Sequence, residues 1–297
     1  MSIQELARRV DAHHRSQAGS SAGSMPDPKP VPGLSFYRRS APTEFEAFVY
    51  DPLMCLILQG AKETSVGHRM VRAAAGEHIL VSHDLPVVAR ITEASEAEPY
   101  IALIVRLDLG ELRSLHDEVG ETHEPQDPSA YAVAPVSDAL LAVLTRYVAL
   151  LDEPEAAPVL APLIRRELSY RLLHEGSGTM LRTLLHRDSH ASRIGRAIER
   201  LRQSYRERLE VPQLARSVGM STSAFHKHFK RVTATTPLQY MKDLRLTEAR
   251  RLLTSEAHSV STAAFEVGYE SATQFSREFS RKFGAPPSAY RAPALAS

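Results

Sequence analysis

The sequence predicts an α+β protein, in which a small N-terminal β-barrel with flanking helices is followed by an all-α domain. Short runs of β-branched and aromatic residues separated by turn formers fill residues 34–107, whereas apolar residues recur at helical spacing from residue 137 onward. The 297 residues exceed what one compact core usually serves, and a hydrophobic content of 43% is typical of globular proteins. We therefore expect a folded chain of more than one domain.

The first 33 residues are expected to lie outside the barrel. Apolar residues recur every three or four positions over residues 2–17, which predicts a short docking helix. Residues 19–33 are rich in Gly, Ser and Pro, a composition typical of a flexible connector. Residues 1–33 are therefore assigned to an N-terminal helix and a connector.

The region 34–135 is predicted to form a small barrel or sandwich. Its short apolar runs are interrupted at Gly60, Gly67 and Gly76, and many short strands at such spacing are typical of these folds. The strands are expected at residues 44–50, 53–59, 63–68, 78–82, 87–92 and 100–107.

Two amphipathic helices are predicted to follow the strands, over residues 137–151 and 163–173. Such helices can form a dimerisation element or cover the barrel, and the sequence leaves both possibilities open. Residues 175–192 contain few periodic apolar residues and are predicted to form the linker between domains. Residues 136–189 are therefore assigned to a helical dimerisation and linker region.

The C-terminal region contains one supersecondary unit twice. Residues 211–219 match residues 260–268 at an offset of 49, and the match continues at an offset of 50 through two phenylalanines, a proline and a tyrosine. A repeat of this kind predicts two copies of the same local fold within residues 190–292.

Each copy has the features of a helix-turn-helix. Its first helix ends at a glycine, Gly219 or Gly268, which can adopt the left-handed conformation of a sharp turn. A serine, Ser221 or Ser271, then offers a cap oxygen to the second helix, which holds two aromatic residues four positions apart for the core. The two units are predicted at about residues 211–231 and 260–282.

A helix over residues 237–253 is predicted to join the two units. Thr236 is suited to cap it and Pro237 to occupy its first position. At ~1.5 Å per residue this helix spans ~25 Å. One chain is therefore expected to contact two successive major grooves, which lie ~34 Å apart on DNA.

Charge is divided unevenly along the chain. Residues 193–291 contain 18 Lys and Arg against 9 Asp and Glu, whereas the remainder contains 18 against 26. A cationic domain is what phosphate binding requires, because neutralised phosphates supply most of the non-specific affinity for DNA. Double-stranded DNA is therefore the predicted partner.

The second helix of each unit is where bases are expected to be contacted, since its N-terminal half enters the major groove. Arg277 is the strongest candidate, because a guanidinium can bond guanine O6 and N7 together. A solvated helix face is the alternative for each outward position. The outward candidates are Thr222, Ser223, His226, Lys227 and Lys230 in the first unit, and Ala272, Thr273, Ser276, Arg277 and Arg281 in the second. Residues near the helix ends are predicted to contact phosphates instead: Lys230, Arg231, Arg281 and Lys282.

The C-terminal repeat resembles the DNA-binding domain of the AraC/XylS family of bacterial transcription regulators over about residues 190–292. The matching motifs are the two Gly-to-Ser turns, LRLTEARRLL at residues 244–253, VGYESATQFSREF at residues 267–279, and the spacing of Gly284, Pro287, Tyr290 and Arg291. The resemblance implies base contacts by Ser223, His226, Lys227, Thr273 and Arg277.

The N-terminal part resembles the cupin-like N-terminal domain of one AraC subgroup. The matching segments are VYDPLMCLILQG at residues 49–60 and AGEHILVSHDLP at residues 75–86. The resemblance implies that residues 34–135 form a cupin-like domain that senses a small effector or mediates dimerisation.

Three barrel residues are candidates for effector binding. Cys55 lies in an apolar strand, where sensing competes with an ordinary role as a small buried hydrophobe. Arg90 and Arg106 interrupt apolar strands and could pair with an anionic effector, although strand ends that reach solvent explain them equally well.

A cupin-type metalloenzyme with an appended DNA-binding domain is the alternative function. Related barrels hold iron or manganese through a His-x-His pair, a carboxylate and a later histidine. His68, His78 and His83 do not have this spacing. We therefore predict no bound metal, no cofactor and no catalytic activity.

The predicted mechanism is allosteric. Effector binding or dimerisation in the N-terminal domain changes how strongly the C-terminal domain binds DNA. A homodimer is expected, with RNA polymerase as a further partner if the protein activates transcription; activation and repression both stay open. A purely architectural role in bending DNA leaves the acidic N-terminal part unexplained.

The chain is expected to act in the cytoplasm and not in a membrane. Its apolar runs are far shorter than the ~20 residues that cross a bilayer. The N-terminus has no pattern of an export signal, and a lone cysteine fits a reducing compartment.

Overall fold

The computed structural model describes residues 1–16, 31–119, 129–186, 189–255 and 258–290. Arg291 and most of the connector predicted for residues 19–33 lie outside the described residues. Two positions of the linker predicted at residues 175–192 lie outside them as well.

The N-terminal domain is built on two antiparallel sheets. One has the strand order β1-β8-β3-β6-β9 and the other β2-β7-β4-β5. The strands are β1 (Leu34–Arg39), β2 (Glu46–Tyr50), β3 (Leu53–Gln59), β4 (Ala61–Val66), β5 (Arg69–Ala74), β6 (Glu77–Val81), β7 (Leu85–Glu93), β8 (Tyr100–Arg106) and β9 (Tyr131–Pro135). The α+β prediction, with a β-structure preceding an all-α region, is confirmed.

The predicted strands differ from the observed ones mainly by omission. β3 matches its prediction residue for residue, whereas β4 begins at Ala61 instead of at residue 63. β1, β5 and β9 were not predicted, because their arginines, alanines and proline give a weak local strand signal. These three strands are specified by pairing with β8, β4 and β6 respectively.

Eleven α-helices lie within the described residues, together with short 3₁₀ helices at Leu150–Asp152 and Pro287–Tyr290. The α-helices are α1 (Ile3–Ser16), α2 (Leu109–Val119), α3 (Asp138–Ala149), α4 (Ala157–His174), α5 (Thr179–Leu185), α6 (His190–Gln203), α7 (Val211–Ser217), α8 (Thr222–Thr233), α9 (Pro237–Ser255), α10 (Val260–Glu266) and α11 (Ala272–Phe283). The predicted N-terminal helix is thus confirmed.

The linker prediction for residues 175–192 is wrong. Its central part forms α5, whose residues Met180, Leu181, Leu184 and Leu185 are buried. Their spacing is that of one helix face, and Met180, Leu181 and Leu185 pack into the core that α2 and α4 share. The segment therefore belongs to the folded domain.

Alternating residues of β3 serve two different cores. Met54 and Leu56 face the cluster formed with helices α1–α5, which we call the outer core. Cys55 and Ile57 face the space between the two sheets, which we call the barrel core. This alternation follows from the period of two along a strand, and it explains why nearly all of β3 is buried.

The barrel core continues without interruption into the first helix-turn-helix. Ile194 and Leu201 of α6, together with Phe225 and Phe229 of α8, belong to the same buried cluster as the inward residues of the barrel. The second unit has its own core, in which Phe275 and the C-terminal half of α9 take part. The first unit is therefore docked on the barrel, and α9 connects it to the second.

Polar contacts reinforce this docking. The Ala130 N–H donates to Val232 O at 2.9 Å, and His68 Nδ1 donates to Ala234 O at 3.1 Å. On α6, Arg202 Nη1 lies 2.6 Å from Asp51 Oδ1 and also pairs with Asp84. We call this set of contacts, with the apolar residues between them, the interdomain interface.

Candidate nucleic-acid interface

Both helix-turn-helix turns have the predicted geometry. Gly219 and Gly268 have φ values of +70° and +88°, the left-handed conformation that glycine adopts without strain. The Ser221 side chain accepts from the backbone N–H of the third residue after it at 3.3 Å, and Ser271 does the same at 3.3 Å. Each serine thus begins its recognition helix, α8 or α11, as a cap.

The recognition helices are held by pairs of aromatic rings. The ring centroids of Phe225 and Phe229 lie 5.5 Å apart in α8, and those of Phe275 and Phe279 lie 5.4 Å apart in α11. All four side chains are completely buried. Because each helix is fixed along its apolar face, its polar face is presented outward.

The five residues implied as base contacts are all exposed. They lie on the N-terminal halves of the two recognition helices: Ser223, His226 and Lys227 on α8, and Thr273 and Arg277 on α11. This is the half of a recognition helix that enters a major groove. The arrangement provides two separate polar surfaces, one on each unit, joined by the 19 residues of α9.

The four predicted phosphate contacts occupy different environments. Arg231 and Arg281 are exposed at the ends of α8 and α11. Lys230 is also exposed, but it lines a cleft of about 550 Å³ between the barrel and the first unit. Lys282 lines the same cleft and pairs with Asp243 of α9. Lys282 thus already has a carboxylate partner, and its contact with phosphate stays a prediction.

Arg245 of α9 connects the two units through three backbone carbonyls. Its Nε donates to Tyr205 O at 2.6 Å, its Nη2 to Glu207 O at 2.6 Å, and its Nη1 to Gly268 O at 2.8 Å. The first two acceptors precede α7 and the third forms the turn of the second unit. Arg245 therefore fixes the relative orientation of the two recognition helices, a role that its place in the sequence motif did not reveal.

The three predicted effector contacts do not lie together. Cys55 faces the barrel core, and burial raises the pKa of its thiol, the opposite of what a reactive cysteine needs. Arg90 lies on the outer face of the four-stranded sheet, where its Nη2 is 2.7 Å from Glu63 Oε2. Arg106 is exposed at the end of β8, 3.6 Å from Asp51. The two arginines are therefore already paired outside the barrel core.

The histidines considered as metal ligands are also separated. His68 lies in the β4–β5 turn at the interdomain interface, whereas His78 contacts Ser177 and His83 faces α6. Among the described residues, no three His, Cys, Asp or Glu side chains are grouped as a metal site.

Sequence reasoning missed the polar residues of the barrel core. Lys62, Tyr50 and Tyr131 lie between the two sheets. The signal that could have found Lys62 was its alternation with Thr64 and Val66 along one strand face, because the apolar Val66 marks that face as inward.

None of the helices within the described residues is long and apolar enough to span a membrane.

Family models match both parts of the chain. Residues 30–180 match the model described as the AraC-type transcriptional regulator N-terminus, and residues 214–293 match a helix-turn-helix domain.

Curated relatives match about a third of the chain. The chain is 37% identical over 91 residues to the MmsAB operon regulatory protein of Pseudomonas aeruginosa. The matched segment covers 31% of this chain and 30% of that relative. The chain is 31% identical over 100 residues to the HTH-type transcriptional activator RhaS of Yersinia pestis, with 34% and 37% covered. It is 34% identical over 99 residues to the RCS-specific HTH-type transcriptional activator RclR of Escherichia coli, with 33% and 35% covered. The matched part of the chain thus spans about a third of each relative, and these relatives give the metalloenzyme alternative no support.

Solved structures match most of the chain in fold. The crystal structure of ToxT from Vibrio cholerae with a bound unsaturated fatty acid has a TM-score of 0.57 at 10% identity, covering 86% of this chain and 93% of ToxT. At this identity the likeness concerns the fold, including the succession of a β-domain and a helical domain. Since the N-terminal family model alone covers more than half of its length, this chain belongs to the AraC-type transcriptional regulators.

Proposed function

We propose that this protein is a sequence-specific DNA-binding transcription regulator whose two recognition helices contact successive major grooves from one chain. The observation that supports this most strongly is the pair of serine-capped helices with exposed polar N-terminal halves on either side of α9. Arg277 is assigned to bases in the second unit, and Ser223, His226 and Lys227 in the first.

The N-terminal domain is proposed to bind a small effector. ToxT, which has the same fold, has been crystallised with an unsaturated fatty acid. In this chain the interdomain interface joins the barrel directly to α6, α8 and α9, so a change in the barrel acts on the first recognition helix without an intervening flexible linker. Effector binding then shifts the protein between states of different DNA affinity.

A homodimer is proposed to form through α4. This helix buries Leu168, Leu172 and Leu173, yet its opposite side exposes Val159 (67%) and Leu163 (62%). Exposed apolar side chains grouped on one helix face are typical of an association surface. Sedimentation of the native chain should show a dimer that Leu163→Asp converts to a monomer, whereas a monomeric native chain would contradict the proposal.

The protein is further proposed to act in the cytoplasm as an activator, with RNA polymerase as its partner. RhaS and RclR, each of which matches about a third of the chain, are both named as activators. Transcription from a template that carries the protein's binding site should increase when the purified chain is added to RNA polymerase. A decrease would favour repression.

Selection from a random library of DNA duplexes tests DNA recognition and needs no known target sequence. The purified full chain should enrich a sequence with two conserved patches separated by about one helical turn, ~10 to 11 base pairs. Retention of all duplexes in proportion to their abundance would contradict sequence-specific recognition.

A further inference from the structure

Lys62 lies inside the barrel and not on its surface. In β4 it is in register with Ala73 of β5 and with Ile91 of β7, which are both buried in the barrel core. Residues opposite each other on neighbouring strands share one face of the sheet. Lys62 therefore projects between the two sheets, whereas its neighbour Glu63 pairs with Arg90 on the outside.

No carboxylate of the described residues forms an ion pair with the Lys62 ammonium. Its Nζ donates to Tyr50 Oη at 2.5 Å and lies 5.0 Å from the centroid of the same ring. Burial opposes the charged form, but the oxygens of Tyr50 and then Tyr100 raise the pKa of Lys62 overall, so the side chain stays a cation. A cation enclosed by neutral groups lacks the counter-ion that buried charges normally have.

Two buried hydroxyl groups near Lys62 also lack partners. Tyr131 Oη and Thr64 Oγ1 have no hydrogen-bond partner among the described residues. Burial raises the pKa of Tyr131, so its hydroxyl keeps its proton and is a donor at neutral pH. Thr64 lies two residues from Lys62 on the same inward face of β4, and Lys62 slightly lowers the pKa of Tyr131, as a nearby cation does. Two hydroxyl groups without a partner among the described residues thus lie near the Lys62 ammonium, which itself donates to Tyr50 Oη.

The inward apolar side chains around these donors are incompletely covered. Ile104 is in register with Cys55, Val133 with Ile79, and Tyr37 with a buried alanine, so all three face the barrel core. Each is only half-buried, and Lys62 itself keeps some accessible surface. The inward face of the five-stranded sheet therefore keeps accessible apolar surface at these positions, two of which lie on its edge strands β1 and β9.

We propose that the barrel core binds a small organic carboxylate, whose oxygens accept from Lys62, Tyr131 and Thr64 and whose apolar body packs against Ile104 and Val133. The inference rests on the proposed function, since it names the chemical class of the effector. A carboxylate supplies the missing charge and the missing acceptors together. Apolar walls with a few convergent polar groups are the usual composition of such sites.

The ends of this carboxylate site adjoin the interdomain interface. Tyr50 precedes Asp51, which pairs with Arg202 of α6. Tyr131 follows Ala130, whose N–H donates to Val232 O in α8. A carboxylate that draws Lys62 away from Tyr50 therefore acts on segments that hold the first recognition helix.

Titration calorimetry of the full chain tests the proposal with three sodium salts of different shape: benzoate, cyclohexanecarboxylate and hexanoate. Benzamide is the uncharged control for benzoate. Because the chain has no tryptophan, its tyrosine fluorescence provides a second readout. We expect at least one carboxylate to bind at least ~10-fold more tightly than its amide, and Lys62→Met to weaken it by ~10-fold or more. Arg90→Gln removes a charge from the outer face of the same sheet and should leave binding unchanged.

Two milder variants keep the test decisive if Lys62→Met does not fold. Tyr131→Phe and Thr64→Val each delete one unpartnered oxygen at nearly constant volume and should weaken binding ~3- to 10-fold. The absence of binding by all three salts up to about 10 mM would overturn the proposal. Equal binding of benzamide, or of the Lys62→Met variant, would overturn it as well. The duplex selection is made without ligand, so a failed titration with intact DNA recognition rejects the effector class alone.

Discussion

Gly195 of α6 lies against the imidazole of His83, so close that a Cβ atom at residue 195 would lie 2.6 Å from His83 Nε2 and 2.9 Å from Leu184 Cδ1. Residues 83 and 195 belong to the barrel and to the first helix of the DNA-binding region. A side chain of any size at residue 195 therefore pushes the two domains apart. This close approach explains a glycine in the middle of an otherwise regular helix.

Gly195→Ala should destabilise the protein by about 1 to 3 kcal/mol, because the clash outweighs the gain in helix propensity. Urea unfolding followed by circular dichroism measures the change. Gly176→Ala is the matched control, since no atom lies within 4 Å of a Cβ built there. An equal effect of both substitutions would show that residue 195 does not limit the interdomain interface.

His83 should make the interface sensitive to acid. Burial lowers its pKa to about 4, and a backbone hydrogen bond to Ala191 offsets this only partly. The unfolded chain takes up this proton near pH 6.5, whereas the folded chain does so only near pH 4. The contribution of His83 to the free energy of unfolding is therefore fully present above pH 6.5 and is lost as the pH falls towards 4. The decrease attributable to His83 is about 3 kcal/mol.

The His83→Gln variant isolates this contribution. Unfolding free energies of the native chain and the variant should converge between pH 6.5 and pH 4, as the native chain loses its pH-dependent stability. Asp84, whose pKa burial raises to about 6, acts in the opposite direction but titrates in both proteins. Parallel pH profiles would contradict a buried neutral His83.

Arg245→Lys should cost about 2 kcal/mol of stability, because one ammonium cannot replace three guanidinium hydrogen bonds to separate carbonyls. The variant should also lose the fixed spacing between the two patches in the selected DNA, because α7 and the second turn are no longer held together. Arg251→Lys, on the exposed side of α9 next to Glu248, is the control and should be neutral. If the two variants behave alike, Arg245 does not orient the units.

Ala234 ends α8 in the left-handed conformation at φ +57°, where the equivalent residue of the second unit is Gly284 at φ +73°. Ala234→Gly should therefore stabilise the protein by about 0.5 to 1 kcal/mol, and Gly284→Ala should destabilise it by a similar amount. Differential scanning calorimetry measures both changes. A lower melting temperature for Ala234→Gly would mean that the alanine methyl group contributes more at the interface than its conformation costs.

Local signals in the sequence were sufficient to predict the turns and helix caps of the two helix-turn-helix units. Gly219, Ser221 and their repeats specify turns and caps through interactions within four residues, so their geometry could be predicted from spacing alone. The periodicity of β3 was equally local, and its bounds were predicted correctly.

The features that the sequence did not predict depend on contacts between distant segments of the chain. Gly195 gives no local sign that His83 opposes it, and Lys62 resembles any surface lysine until the register with Ile91 places it inward. The pairing of Lys282 with Asp243 likewise joins two helices that are separate in sequence. Burial and charge pairing at these positions arise only when the strands and helices pack together.

The central claim is that one chain contacts two successive grooves through α8 and α11, and base-by-base affinity of two variants on the selected duplex tests it most directly. Arg277→Ala should relax preference at one base pair by ~1 to 3 kcal/mol, and Lys227→Ala should relax it at a position ~10 base pairs away. Arg113→Ala, which removes a charge from an exposed residue of α2, should change neither position. If Arg277→Ala and Lys227→Ala weaken all duplexes equally, or alter the same base pair, the two-groove account is contradicted.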